Sequence, residues 1–149
     1  MTRVDAGLDA HMMDRALREA RKGRTSPNPH VGAIIARGNK VIAVGHHERC
    51  GGPHAEVVAL ERAGARARGA TLYVTLEPCY MCAGAVVLAR IPRLVYGARD
   101  PKAGACGSLA MVPHDLRLNH RAEVQPGVLA EECGALLESF FRSKRRGPV

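Results

Sequence analysis

Apolar residues recur at Met13, Ala16, Leu17 and Ala20, the spacing of one helix face. The pattern predicts a helix through LDAHMMDRALREARKG, with Asp9 as its N-cap and Gly23 as its stop. RTSPNPH follows as a turn-rich loop. VGAIIAR and KVIAVG are apolar runs flanking Gly38-Asn39, a two-residue hairpin signal. GHHERCGGP is a loop, and HAEVVALERAGARA returns to helical spacing at Ala55, Val58, Ala59 and Ala63. ATLYVTL reads as a short buried strand and RLVYGA as another. Between them CYMCAGAVVLARI is a helix of small apolar residues opened by Pro78. RDPKAGACGSLAMVPHDLRLNH is long and irregular, the kind of loop that is functional or disordered. RAEVQ is a candidate last strand. VLAEECGALLESFFRSKRR is an amphipathic helix, with Leu129, Cys133, Leu136, Leu137, Phe140 and Phe141 on or near one stripe.

This alternation of helices and strands predicts one α/β domain over residues 1–149, a mixed sheet with helices on both faces. No internal repeat, low-complexity run or linker interrupts it. Aromatic residues are scarce, with three Tyr, two Phe and no Trp, so Ala, Val and Leu must fill the core. Twenty-two Lys and Arg against 14 Asp and Glu give a net charge of +8, which suits a polyanionic partner, nucleic acid first, or simply solubility. No run of 18 apolar residues offers a membrane span. The N-terminus lacks the apolar stretch of a secretory signal. A cytoplasmic location is expected, where stable disulfides are uncommon, and five cysteines fit a disulfide framework poorly.

The chemistry concentrates in TLEPCYMCAGA and PHAEVVAL. Cys79 and Cys82 lie one helical turn apart at the start of a predicted helix, where the N-terminus favours thiolates. His54 and Glu56 open another helix. Each of these helices follows a strand and a loop, so both N-termini can meet at one sheet edge. Two thiolates and one imidazole give three zinc ligands, which leaves a fourth position for water in a catalytic site. On a helix, residues two apart point about 200° away from each other, which predicts that Glu56 moves a proton beside the metal and does not bind it. A structural zinc site is the alternative, with a fourth ligand drawn from Cys50, Cys106 or Cys133. A redox pair is another.

H-x-E followed some two dozen residues later by P-C-x-x-C resembles the cytidine deaminase superfamily. RLVYGARDPKAGACGSL and LNHRAEVQPGVLAEECGALLESFFRSKRR narrow the resemblance to bacterial tRNA-specific adenosine deaminases. That resemblance implies a three-layer α/β/α sandwich with a five-stranded mixed sheet, a homodimer and one Zn2+ per subunit. It implies conversion of wobble adenosine to inosine in a tRNA anticodon loop. Carried onto this chain, it makes His54, Cys79 and Cys82 the ligands and Glu56 the proton shuttle. Asp100 and Lys102 would lie in the loop facing the RNA, and Phe141, Arg142, Lys144, Arg145 and Arg146 would line its path.

The first third, TSPNPHVGAIIARGNKVIAVGHHERCGGPHAE, is instead similar to the deaminase domain of riboflavin biosynthesis. The tRNA enzymes usually carry Trp-Asn or a similar pair where His46-His47 stand, and that Asn helps hold the nucleoside. His47 is therefore a candidate substrate contact, with a solvated loop residue as the alternative. Asn28 is a candidate base or ribose contact, or a turn residue after Pro27. The leading expectation is a zinc hydrolase acting on tRNA. Deamination of a free nucleobase, nucleoside or pyrimidine nucleotide is one alternative, and a non-catalytic zinc-stabilised RNA-binding module is another.

Overall fold

The hairpin signal at Gly38-Asn39 is realised between β1 (Gly32–Arg37) and β2 (Lys40–His46), whose pairing closes on Arg37 opposite Lys40. Gly38 takes φ 60°, the left-handed conformation that a tight hairpin turn demands. In this computed structural model, which describes residues 5–23, 30–49 and 51–145, β1 also pairs antiparallel with β3 (Thr71–Leu76). From β3 the sheet continues in parallel through β4 (Arg93–Ala98) to β5 (Glu123–Gln125), giving the order β2-β1-β3-β4-β5. RAEVQ thus supplies the last strand.

Successive side chains of a strand face opposite sides of the sheet, and both sides are buried here. Ala33, Ile35, Leu72 and Val74 face one core, covered by α2 (Ala55–Ala63) and α3 (Tyr80–Leu88). Ile34, Tyr73 and Val95 face a second core, covered by α1 (Ala6–Ala20) and α4 (Ala130–Arg145). Of α4, side chains are described only as far as Ser139. The result is the expected α/β/α sandwich around a mixed five-stranded sheet. With alanine supplying so much of the core, helices approach the sheet closely, α1 at Gly32 and α2 at Gly45. A Cβ on Gly45 would stand 2.5 Å from the Ala55 carbonyl oxygen and 2.7 Å from the Ala59 nitrogen. Glycine at 45 therefore sets how close α2 lies to β2, and with it the placement of His54. None of the described helices is long and apolar enough to cross a membrane.

Local expectations are corrected in several places. Asp5, not Asp9, caps α1, its carboxylate accepting the Leu8 N–H at 3.0 Å. Asp9 lies a turn further in and is buried against Arg93 of β4, which uses its carboxylate instead. The helix ends at Ala20, before Gly23. The helix expected through Ala67 is α-helical only to Ala63 and then tightens into a 3-10 turn over Gly64–Ala67. Segment 99–120 is ordered as successive turns, with a 3-10 turn at Val112–His114.

Candidate metal centre

Both functional helices begin on an extended residue that carries chemistry. His54 is the N-cap of α2, at φ −68° and ψ 158°, and Cys79 is the N-cap of α3, at φ −75° and ψ 178°. Neither side chain caps its own helix. Both are turned instead toward the space between the two helix starts, where unpaired N–H groups favour negative charge. His54 is thus outside the helix, and the 200° argument for Glu56 does not apply to it. Glu56 nonetheless stays out of the donor cluster. His54 Nδ1 lies 3.7 Å from Cys79 Sγ and 3.4 Å from Cys82 Sγ, and the three donor atoms all lie within 4.8 Å of one another. Among the described residues no fourth His, Cys, Asp or Glu joins them.

The two sulfurs sit in unlike surroundings. The Cys82 thiol donates to Cys79 and, despite partial burial, holds the Cys79 thiol down to about 5, with help from the Cys82 and Met81 N–H groups and from His54. Cys82, which gives that proton and is buried beside Glu56, is pushed up. The three donor atoms converge closely enough to hold one soft-to-borderline divalent cation. The donor set of two sulfurs and one nitrogen fits zinc with an open coordination position.

Glu56 is 4 % exposed. Burial pushes its carboxyl up to about 7, against its own backbone N–H and the nearby His54. A carboxyl poised there can take and return a proton near neutral pH. It lines a cavity of about 220 Å³ together with Val31, His47, His54, Cys79 and Asp100. Cys82 is fully buried below. His47 is also buried, and its ring meets that of His54 edge-on at 5.6 Å. His47 Nδ1 stands 2.9 Å from the Pro53 carbonyl oxygen, which can only accept, so Nδ1 carries the proton. The solvated-loop alternative for His47 is thereby removed.

The structure brings His47, His54, Glu56, Cys79, Cys82 and Asp100 to one place. Lys102 is exposed on the same loop and outside the cavity lining, its N–H donating to Asp100 Oδ1 at 3.1 Å. Asn28 lies outside the described residues, as do the side chains of Phe141 and Arg142 on α4. Sequence reasoning missed Glu77. It is 2 % exposed, lines the cavity and accepts the N–H groups of Asp100, Cys106 and Ser108. Burial would raise its carboxyl, but the Ser108 hydroxyl and those N–H groups outweigh it and hold it below its ordinary value. A carboxylate ending the apolar run TLYVTL was the available signal. His46 was also left without a role. Its two ring nitrogens face carboxylates, Nδ1 at 2.9 Å from Glu19 and Nε2 at 3.0 Å from Glu48.

The chain is similar to known proteins along most of its length. The tRNA-specific adenosine deaminase of Bacillus subtilis (strain 168) is 44% identical over 147 residues, covering 93% of this chain and 91% of that protein. A solved structure from a study of A-to-I editing by tRNA:A34 deaminases at the wobble position of transfer RNA superposes with a TM-score of 0.74 at 36% identity. It covers 85% of this chain and 99% of that one. Acinetobacter baumannii RibD superposes with a TM-score of 0.82 at 34% identity, over 93% of this chain and 40% of that longer one. The family model for the cytidine and deoxycytidylate deaminase zinc-binding region matches residues 7–98, which take in β1 through β4, His54, Glu56, Cys79 and Cys82. The chain therefore belongs to the cytidine and deoxycytidylate deaminase family and is a zinc-dependent deaminase.

Proposed function

We propose that this protein converts adenosine to inosine at the wobble position of a tRNA anticodon loop, with His54, Cys79 and Cys82 holding zinc and Glu56 moving the proton. The observation that carries this reading is the buried Glu56 carboxyl at the rim of the three-donor cluster, opening on the cavity. Bound zinc supplies Lewis acidity that brings the pKa of a water toward neutrality. With zinc held by His54, Cys79 and Cys82, Glu56 would take one proton from the attacking water and pass it to the adenine ring nitrogen as the water oxygen bonds to the amino-bearing carbon. It would then carry the remaining hydroxyl proton to the amino group, so that the carbon–nitrogen bond breaks and ammonia leaves. His47, held through Nδ1 by Pro53, forms one side of the pocket, and Asp100 forms another. The base must leave its stack to reach so enclosed a site, which suits an unpaired loop nucleotide. The net charge of +8 supplies affinity for the RNA backbone. Phe141, Arg142, Asn28 and Lys102 remain candidates for RNA contact, and the reaction is proposed to occur in the cytoplasm.

A second copy of the chain is the proposed partner. Tyr80, Met81 and Leu88 are exposed by 55%, 57% and 83%. By helical spacing they share one face of α3 with Gly84. A helix apolar on its exposed face as well as on its buried one asks for a further protein surface.

One observation favours a second reading within the family. His47 stands in the pocket wall and the fold superposes on RibD, which supports deamination of a free nucleobase, nucleoside or pyrimidine nucleotide. Ammonia release from an anticodon stem-loop, measured beside free adenine, cytosine and guanine, separates the two. Turnover of the stem-loop that weakens steeply with salt supports the RNA reading, because phosphate contacts are salt-dependent. Turnover of a free base only, indifferent to salt, would replace it.

A further inference from the structure

Segment 99–108 has little regular structure, yet it supplies Asp100 and Ala103 to the cavity lining. A buried carboxylate gathers it. Glu77 Oε1 accepts the Asp100 N–H at 3.0 Å and the Ser108 hydroxyl. Glu77 Oε2 accepts the N–H groups of Cys106 at 3.1 Å and Ser108 at 2.9 Å. The residue itself is anchored by its own N–H on the Ala98 carbonyl at 2.9 Å, which prolongs the pairing of β3 with β4 by one step. Next to it, the Ala105 N–H donates to the Pro78 carbonyl at 2.8 Å, and Gly104 bridges to Cys79. The segment thus folds around Glu77 and docks on the peptide that carries the first cysteine. Gly104 shows how closely. A Cβ there would stand 2.3 Å from the Glu77 carboxyl carbon and 2.6 Å from the Asp100 carbonyl oxygen.

We infer that Glu77 is a positioning residue, the hub on which segment 99–108 closes, and that it sets where the Asp100–Ala103 wall stands opposite Cys79. Both its carboxylate oxygens are taken up by donors of segment 99–108, and it lies outside the three-donor cluster. Its effect is on how the substrate is received, and in that respect the inference rests on the function proposed above. An ionised carboxylate suits the task because every group aimed at it is a donor.

Glu77→Gln tests this with little change of shape. With its NH2 in place of Oε2, the glutamine would face two N–H donors. In place of Oε1 it would face the Asp100 N–H, while the Ser108 hydroxyl can turn to accept. The second orientation loses less, so Asp100 should be released selectively. Expected are zinc content equal to wild type and amide exchange at Asp100 faster by about tenfold or more, the equivalent of one lost charged hydrogen bond. KM for an anticodon stem-loop should rise by about tenfold with kcat changed less than about twofold, the pattern of lost binding. Gly104→Ala, which pushes on the hub without altering its charge, should give the same split. Unchanged exchange and KM in Glu77→Gln would overturn the inference. So would loss of zinc and kcat with KM unchanged, which would place Glu77 in support of the metal instead. Wild-type failure to turn over any stem-loop would defeat the substrate reading, while the exchange at Asp100 would still decide whether Glu77 is the hub.

Discussion

Asp9 and Arg93 meet as a two-point ion pair, both guanidinium Nη atoms bonded to the two carboxylate oxygens at 2.8 and 2.7 Å. Their side chains are only 4% and 13% exposed. The pair fastens the first helix to the start of β4 across 84 positions of sequence. Removing one member of a buried pair strands the other, at a cost of about 3–5 kcal/mol. Asp9→Asn should lower stability by that amount in urea unfolding. The double variant Asp9→Leu/Arg93→Met, which strands no charge, should recover most of it.

Metal loss and loss of chemistry should separate cleanly. Glu56→Gln keeps the shape of the side chain but removes the proton acceptor. It should retain zinc by elemental analysis while ammonia release falls by about 10²–10⁴-fold. Cys82→Ser removes a fully buried donor. Its zinc affinity should fall by more than the roughly 10–100-fold that loss of an outer-shell partner costs. Equal zinc retention in both variants would refute the ligand assignment, and full activity of Glu56→Gln would refute the proton shuttle.

The exposed face of α3 should decide assembly. Leu88→Glu, at a position 83% exposed, costs a monomer almost nothing. In a symmetric dimer each interface residue is present on both partners, so the substitution acts twice. Sedimentation should show a dimer for the wild type and a shift to monomer for Leu88→Glu. A variant that sediments as wild type would locate any interface elsewhere.

Glu19 links α1 to the end of β2 and makes stability pH-dependent. Burial would raise its carboxyl, but hydrogen bonds from Lys22 and His46 outweigh this and hold it below its ordinary value of 4.5. A depressed folded pKa contributes stability that is present above the unfolded value and is lost as pH falls through the folded one. Glu19→Gln should therefore be less stable than wild type at neutral pH. The gap should narrow as pH drops below 4.5. Urea midpoints that stay equally far apart down to strongly acidic pH would contradict the pairing.

Much of the architecture is legible along the chain. The hairpin at Gly38-Asn39, the strands ATLYVTL and RLVYGA and the helices behind them follow from periods of two and 3.6 and from turn chemistry, which are local. Boundaries are less so. Asp9 has the composition of an N-cap, yet tertiary pairing with Arg93 claims its carboxylate and the cap falls to Asp5. His47 shows the same limit within the site. Nothing next to it distinguishes a loop histidine from a wall residue, and it is buried where its ring meets the Pro53 carbonyl and the His54 ring.

By itself the sequence determined the donor types and their spacing, because H-x-E and P-C-x-x-C each place their donors at the start of a helix. It also determined that the domain alternates helix and strand with apolar residues for two cores. The tertiary structure alone decided that an imidazole and two sulfurs from different helices lie within 4.8 Å. It alone decided that a carboxylate beside Pro78 gathers a loop arriving from beyond β4. The reason is physical: such contacts join segments tens of residues apart, and what brings them together is the packing of two helix layers on one sheet, which no local period records.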